Sequence, residues 1–408
     1  GNELKEKPTG GATLFAASLG AMSPAGMQRG KTVRYTFFGD KLNRATAVWF
    51  DDTGLTGKIV TPPDPNEGIL RVDVTSTPQV RVGLHSLLIQ TPNGTTGSLT
   101  FAVGDWQEVM QSEPNDTLPT AQPITLPTTL IGAIDKPGDT DVYKFEAKAG
   151  EEIVFDVMAQ PLRSRLKPVL TLMDVQEKVL TESTLRAGKT DTYLGYRFTA
   201  NGTYYLRVKD FQNQSGGDVT YRINAGHFPF VTKAFPLGVG KGTTSEVHLE
   251  GFNLGANRTL KIQAPPKESE DKFYTLSQVD GKSAQVFGDN LLALGDEAEV
   301  LQKQGNESLS NAQSVPFPVT INGTLWDGKS GTKGRPLSHY FRFSAKKGQK
   351  IVLETLARRR GSALDSMIEV LDKNGKPIEQ VVLRAVGQTE ITLNDRDSFS
   401  TGLRLINW

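Results

Sequence analysis

Two different stretches of this 408-residue chain each occur twice, and the copies alternate along the sequence. The first stretch begins at Ser23 and returns at Phe235. Its copies align without a gap, and the matched positions are Pro24 with Pro236, Gly30 with Gly242, Gly39 with Gly251, and Leu42 with Leu254. Because a duplicated stretch of this kind marks one supersecondary unit, the chain is predicted to fold as tandem modules rather than around one core.

The second stretch begins at Val142 and returns at Tyr340. Its matched positions are Phe145 with Phe343, Ala147 with Ala345, Gly150 with Gly348, and Ile153 with Ile351. We therefore predict four modules in the order A–B–A′–B′, over residues 1–105, 106–226, 227–302 and 303–408. Module B′ is expected to be divergent and either truncated or interrupted, and both ends of the chain are expected to be cut from a longer protein.

Hydrophobic residues in module B recur at every second position, which is the period of a β-strand with one buried face. Ile153, Phe155 and Val157 form one such series, and Tyr204 and Leu206 belong to another. Module A alternates in the same way. Turn-forming residues at roughly 8–12-residue intervals predict an all-β chain of tandem β-sandwiches, Ig-like in A and jelly-roll-like in B. The only helical features expected are short turns within 119–124 and 310–315.

The composition excludes several functional classes. The 46 Lys and Arg residues are balanced by 45 Asp and Glu residues, which argues against a nucleic-acid-binding face. The chain has no cysteine, so disulfides, thiolate zinc sites and cysteine nucleophiles are excluded. No stretch of the sequence is apolar enough for a membrane span. The four histidines are far apart in the sequence: His85, His227, His248 and His339.

Recognisable catalytic motifs are also missing, so we predict a protein that is not an enzyme, with no assigned catalytic, cofactor-binding or metal-binding residues. The sequence contains neither a G-x-S-x-G elbow nor an H-E-x-x-H helix. The stretch 238–244 carries glycines and a lysine, but its spacing differs from that of a P-loop and predicts a turn. The sequence does not exclude a catalytic Ser–His–Asp triad, or a pair of catalytic carboxylates, assembled from distant positions.

Module B resembles the bacterial pre-peptidase C-terminal domain in four successive segments: 113–117 (EPNDT), 132–145 (GAIDKPGDTDVYKF), 149–157 (AGEEIVFDV) and 201–208 (NGTYYLRV). Module B′ departs from this pattern, because QGNESLS replaces the first segment and an insertion precedes PLSHYF. Modules A and A′ each carry P-x-G-x-x-x-G, followed by a strand and G-x-x-L, at 24–30 and 39–42 and again at 236–242 and 251–254. On this motif they look like immunoglobulin-like domains of the IPT/TIG type. These resemblances imply β-sandwich accessory modules, found beside secreted bacterial peptidases and other exported enzymes, in an extracellular or cell-envelope setting.

Five polar residues of module B are candidates for a calcium site, because calcium prefers six to eight oxygen ligands gathered from loops. They are Glu113, Asn115, Asp116, Asp139 and Asp141. Collagen-binding domains related to the resembled family bind calcium through an acidic segment at this edge, although they carry more acids than this sequence. The alternative is structural, with Asn115 and Asp116 in an Asx-turn and Asp139 capping a hairpin.

Two further features favour a binding role, and each has a simpler alternative. Basic residues fall at the same predicted corner of both B modules. They suit the binding of an acidic polymer; the simpler alternative is a solvated loop. They are Arg163, Arg165 and Lys167 in B, and Arg358, Arg359 and Arg360 in B′. Tyr205, which alternates with Tyr204, and Trp326 suit stacking on sugar rings, or serve as core and edge cover.

The predicted function is therefore that of a non-catalytic accessory, interaction or spacer region of a larger secreted bacterial protein. Its expected partners are other domains of that protein or an extracellular or envelope polymer. The alternatives are a dedicated module that binds polysaccharide or fibrous protein, and an unrecognised hydrolase.

Overall fold

The computed structural model describes residues 17–185, 191–325, 338–357, 362, 364, 366–378, 392–393 and 405–407. These residues form β-strands and four 3-10 turns but no α-helix, which confirms the predicted all-β class and agrees with tandem β-sandwiches. None of the described segments is a helix that would be long and apolar enough to cross a membrane. The chain divides into two compact units, 1–232 with 251–255 and 282–288, and 233–250 with 256–281 and 289–408.

The first sandwich, in the first unit, consists of two sheets with the strand orders β1-β3-β6-β5 and β2-β9-β7-β4, and β8 pairs with β7. Large apolar side chains such as Tyr35, Phe37 and Phe101 fill the space between the sheets and have no exposed area. The strands are β1 (Ser18–Ser23), β2 (Gly26–Gln28), β3 (Thr32–Asp40), β4 (Ala47–Phe50), β5 (Leu55–Ile59), β6 (Ile69–Ser76), β7 (Gly83–Thr91), β8 (Gly94–Thr95) and β9 (Leu99–Gly104). A 3-10 turn, Leu42–Arg44, follows β3.

The second sandwich, also in the first unit, has the strand orders β10-β12-β20-β14-β18-β17 and β11-β13-β19-β15-β16. Its strands are β10 (Glu108–Met110), β11 (Gln122–Pro123), β12 (Thr128–Ala133), β13 (Asp141–Ala147), β14 (Glu152–Met158), β15 (Pro168–Met173), β16 (Val179–Glu182), β17 (Thr184–Leu185), β18 (Thr192–Arg197), β19 (Gly202–Asp210) and β20 (Thr220–Gly226). Two 3-10 turns, Leu118–Thr120 and Gln160–Leu162, belong to it, and the first was predicted.

Strand β14 departs from the expectation of one buried face. Ile153, Phe155 and Val157 point into the core as predicted, but Val154 on the opposite face also has no exposed area. Phe228 and the neighbouring aromatic side chains pack over that outer face. The prediction of one exposed face is therefore wrong for β14, because residues that follow β20 in the sequence cover it.

The remaining strands are shorter. They are β21 (Phe230–Phe235), β22 (Gly238–Gly240), β23 (Thr244–Phe252), β24 (Thr259–Gln263), β25 (Phe273–Thr275), β26 (Gln278–Val279), β27 (Lys282–Ser283), β28 (Phe287–Gly288), β29 (Leu291–Gly295), β30 (Ala298–Leu301), β31 (Gln313–Ser314), β32 (Val319–Asn322), β33 (Phe341–Arg342), β34 (Thr392–Leu393) and β35 (Leu405–Asn407). In the second unit, β23 pairs with β24, β22 and β25 flank β29, β30 pairs with β32, and β31 pairs with β33. A 3-10 turn, Leu309–Asn311, falls where the second short turn was predicted.

Hydrogen bonds of the second sandwich recur in the second unit. Gln122 accepts a bond from the backbone N–H ten residues before it at 2.8 Å and donates to the carbonyl twelve residues before it at 2.9 Å. Gln313 makes both bonds at the same spacings, at 2.7 and 2.9 Å. Asp174 and Asp372 each accept bonds from the N–H groups two and four residues later. The two segments therefore share local backbone geometry.

Candidate functional site

Three carboxylates meet at one end of the second sandwich. Glu113 and Asp116 come from the segment between β10 and β11, and Asp139 comes from the turn that leads into β13. One oxygen from each of the three side chains lies within 4.8 Å of the other two. We call these residues the acidic cluster. Asp139 has only 4% of its surface exposed, whereas Glu113 and Asp116 reach solvent.

The turn that carries Asp139 follows directly from its sequence, KPGD. Proline suits the second position of a type II turn and glycine the third, where φ is positive. Gly138 has a φ of 81°, and the N–H of Asp139 donates to the carbonyl of Lys136 at 3.1 Å. One carboxylate oxygen of Asp139 also accepts a bond from the N–H of Asp135 at 2.8 Å. The turn thus caps itself, as the structural interpretation of Asp139 predicted, and leaves the other carboxylate oxygen directed elsewhere.

Backbone pairing holds the opposite side of the acidic cluster. The N–H of Val142 at the start of β13 donates to the carbonyl of Asn115 at 2.9 Å, and the hydroxyl of Thr140 donates to the carbonyl of Asp116 at 3.1 Å. Asn115 does not form the predicted Asx-turn, because its side-chain oxygen accepts no hydrogen bond from the described residues; its side-chain amide donates to Asp141 at 2.9 Å. The carboxylate of Glu113 accepts the N–H of Asn115 instead, at 3.2 Å.

Asp141 lies beneath the acidic cluster rather than in it. Its two carboxylate oxygens accept bonds from Asn115 and from the hydroxyl of Tyr221, the latter at 2.7 Å, and the hydroxyl of Tyr143 donates in turn to Tyr221 at 2.6 Å. Burial raises the pKa of Asp141 to about 7, against the opposing effect of these two donors. Asp141 therefore supports the cluster from below, and its oxygens are already used.

Charge within the acidic cluster is only partly balanced. Burial raises the pKa of Asp139 to about 6. Protonated Asp139 donates a hydrogen bond to Asp116, which lowers the pKa of Asp116, so Asp139 keeps its proton to a higher pH than Asp116 does. The ammonium of Lys136 lies 3.4 Å from an oxygen of Asp116, 3.6 Å from Glu113 and 3.8 Å from Asp139. One lysine thus faces three acids.

The donor atoms of the cluster fit a hard cation. When both carboxyls are ionised, the second oxygen of Asp139, one oxygen of Asp116 and the side-chain oxygen of Asn115 are buried and accept no hydrogen bond from the described residues. Calcium binds oxygen ligands of this kind, and an oxygen that lacks a donor in the protein is free to face an ion. Glu113, Asp116 and Asp139 are the residues that would hold the ion.

The other residues singled out from sequence are used differently. Arg163 donates to the carbonyl of Ser98 at 2.8 Å, and Arg165 pairs with Asp218 at 2.8 Å, so two members of the basic corner in module B have structural partners. Tyr205 is half-buried on the outer face of β19. Trp326, Arg358, Arg359 and Arg360 lie outside the described residues. The stretch 238–244 was predicted to be a turn, but its first three residues form β22 and the turn into β23 comes only after Gly240.

Two residues that matter in the structure were not found by sequence reasoning. Lys136 stands three residues before Asp139, and the KPGD turn was the signal that would have placed both at one site. Arg222 has 2% of its surface exposed and pairs with Glu108, from which it is separated by 114 residues. No local pattern identifies that pair.

Comparisons with known proteins give partial matches. A probable subtilase-type serine protease of Deinococcus radiodurans is 36% identical over 107 residues, which are 26% of this chain. The chain spans 15% of the length of that curated relative. No known protein-family profile matches the chain.

Two solved structures are similar at low scores. The pre-peptidase C-terminal domain of a collagenase from Bacillus anthracis has a TM-score of 0.23 and 20% identity, over 28% of this chain and 99% of that one. A Bacteroides ovatus protein of a mixed-linkage glucan utilization locus, solved with a heptasaccharide, has a TM-score of 0.19 and 12% identity, over 50% of this chain and 76% of that one.

Proposed function

We propose that this chain is a non-catalytic accessory region of a larger exported bacterial protein, and that its first two sandwiches form a rigid spacer. The observation that carries the proposal is the joint between these sandwiches, where the guanidinium of Arg222 is buried beside Glu108. We also propose the module order A–B–A′–B′ over 1–105, 106–226, 227–302 and 303–408. The recurring hydrogen bonds of Gln122 and Gln313 support the duplication of module B.

The joint between the sandwiches depends on two glycines, Gly26 and Gly104, which have no side chain. A Cβ atom on Gly26 of the first sandwich would lie 2.7 Å from Nη1 of Arg222, and one on Gly104 would lie 3.0 Å from Nη2. Glycine at both positions therefore lets the guanidinium of β20 reach between the sandwiches. Arg29 and Asp105 form a second ion pair beside it.

A buried arginine makes such a joint stiff. Burying a charge is unfavourable unless it is paired, and removing one member of a buried pair is strongly destabilising. Opening the joint would separate the guanidinium of Arg222 from the backbone of Gly26 and Gly104, against which it packs. The two sandwiches are therefore expected to move together, as a spacer requires.

The matched relative supports an accessory role. A stretch of 107 residues with 36% identity lies within a probable protease that is much longer than the match. An accessory region shared between exported proteins would produce this kind of local similarity. Placement outside the cytoplasm, and other domains of the parent protein as partners, are parts of the same proposal.

Distance measurements between spin labels test the rigid joint. Because the sequence has no cysteine, Lys58→Cys in the first sandwich and Lys148→Cys in the second give two unique labelling sites in the full chain. Both lysines are exposed. We expect one narrow distance distribution, and a broader one when Arg222→Ala is added. A broad distribution in the doubly labelled chain that otherwise retains the native sequence would overturn the spacer function.

We further propose that the acidic cluster binds one calcium ion. The supporting observation is the buried oxygen of Asp139 without a hydrogen-bond donor. In the register set by Gln122 and Gln313, Gln304 replaces Glu113, so no matching site is expected in module B′.

A calcium ion that binds only the folded state raises the unfolding midpoint. Thermal scans of the full chain with calcium and with chelator should differ, and Asp139→Ala should remove the difference. An unchanged midpoint at millimolar calcium would exclude the site.

Polymer binding is the second candidate function. Phe211, which follows β19, has 73% of its surface exposed, and Tyr205 lies on the outer face of the same strand. Exposed aromatic faces suit stacking on sugar rings. Pull-down with insoluble polysaccharides and fibrous proteins at several salt concentrations tests this function. Retention that is lost in Phe211→Ala would support it, and no retention on any polymer would exclude it.

A further inference from the structure

We propose that Lys136 is a tethered cation of the acidic cluster, which occupies it without metal and competes with a divalent ion for it. This inference rests on the calcium site proposed above and concerns how strongly that site binds. It assigns a role to a residue that is not itself a metal ligand. Lys136 is covalently attached, so its charge is always present beside the acidic cluster. Calcium must therefore exceed a certain concentration before it displaces the lysine.

The turn geometry brings Lys136 to this position. The bond from the N–H of Asp139 to the carbonyl of Lys136 closes the turn and brings the first and last of its four residues close together. The ammonium lies 3.8 Å from the oxygen of Asp139 that has no hydrogen-bond donor. The side chain of Asp139 has no exposed area, so this oxygen has access to the ammonium but not to bulk water.

The contacts of the ammonium show that it is shared rather than bound to one partner. Only the 3.4 Å contact with Asp116 is within hydrogen-bond distance, whereas Glu113 and Asp139 are at 3.6 and 3.8 Å. Charge-assisted bonds between nitrogen and carboxylate oxygen are usually about 2.7–2.9 Å long. About half of the Lys136 side chain is exposed, so the ammonium can swing into solvent when a stronger cation arrives.

Electrostatics gives the direction of the competition. A divalent ion among three carboxylates gains from each of them, but it is repelled by an ammonium a few ångströms away unless the lysine withdraws. Moving the lysine out restores its hydration and frees the acids. Calcium binding therefore includes the cost of displacing Lys136, and removing its charge should strengthen binding.

Isothermal titration calorimetry on the full chain tests this role directly. Lys136→Met keeps most of the apolar stem and removes the charge, and Lys148→Met, in the turn between β13 and β14, is the matched control. We expect Lys136→Met to bind calcium about tenfold more tightly or better, from the Coulomb energy of charges about 4 Å apart. The control should bind as the unchanged chain does. Without calcium, Lys136→Met should unfold at a lower temperature than the control, because three acids are then left facing one another.

The outcomes separate this inference from the calcium site. Equal calcium affinity in Lys136→Met and the unchanged chain would overturn the role of Lys136 while leaving the site intact. Failure of both proteins to bind, with near-ultraviolet circular dichroism that shows native packing, would overturn the site and the tethered cation together. Lys136→Arg provides a second check, since a retained positive charge should keep the affinity near that of the unchanged chain.

Discussion

Nη1 of Arg222 lies where Gly26 of the neighbouring sandwich leaves room, so close that a Cβ atom on Gly26 would approach it to 2.7 Å. The same Cβ would come equally close to the carbonyl oxygen of Ala102. An arginine of β20 and a glycine of β2 thus form one contact across the joint. This contact requires both residues, because the guanidinium occupies the space that the glycine leaves.

Adding a single methyl group at Gly26 should loosen this joint. Gly26→Ala is expected to lower the free energy of unfolding by about 1–3 kcal/mol, since the neighbouring backbone and guanidinium must shift. Gly97→Ala is the matched control, because its Cβ would meet nothing within 4 Å. Urea denaturation of both variants measures the difference, and equal stabilities would show that the contact at Gly26 is not a constraint.

Removing Arg222 alone should lower the free energy of unfolding more than removing both Arg222 and Glu108. Arg222→Ala leaves Glu108 without its partner, and we expect a loss of about 3–5 kcal/mol in the free energy of unfolding. The double variant Arg222→Met with Glu108→Leu should recover much of that loss, because no charge is then left unpaired. A double-mutant cycle by urea denaturation, with Arg222→Met, Glu108→Leu and the two combined, measures the coupling, and strictly additive losses would contradict a coupled pair.

The pH dependence of stability should reflect Asp141. Its pKa is raised by burial to about 7 in the folded chain, above its ordinary value of 3.8, so the folded state binds the proton more tightly than the unfolded state. This stabilisation is complete below the unfolded pKa and is lost as the pH rises through 7. In chelator, we expect a loss on the order of 2 kcal/mol between about pH 5 and about pH 8.

Asp141→Asn removes the titrating group and serves as the comparison for this pH series. Its free energy of unfolding should vary less over the same range, and the remaining slope should have the same sign because burial also raises the pKa of Asp139, to about 6. Identical slopes in the two proteins would show that Asp141 does not titrate in this range.

The KPGD turn should depend on glycine at its third position. Gly138 has a φ of 81°, where an L side chain is strained, although its Cβ would meet nothing within 4 Å. Gly138→Ala is expected to cost about 1 kcal/mol from backbone strain alone. Gly217→Ala, which has open space and no positive φ, is the control. Thermal unfolding compares the two, and a calcium titration would report whether the strained turn also weakens the acidic cluster.

Local features of this fold were predictable from sequence because they depend on neighbouring residues. The alternation of Ile153, Phe155 and Val157 specifies a strand with an apolar face, and the turn from Lys136 to Asp139 follows from proline and glycine preferences. These are properties of φ and ψ at single positions and of side-chain direction along one strand. They hold wherever the segment lies in the chain.

Only the tertiary structure brings together the residues of the acidic cluster and the residues of the joint between the two sandwiches. Glu113 and Asp139 meet because β13 pairs its first residues with the segment after β10, and Asp141 is withdrawn from the cluster because Tyr221 and Asn115 take its oxygens. Val154 is buried on a face that alternation assigns to solvent. The sequence by itself determined the strands, the turns and the duplicated stretches. Packing of surfaces far apart in the chain decided which polar groups lost water, because burial depends on what covers a residue and not on its neighbours in sequence.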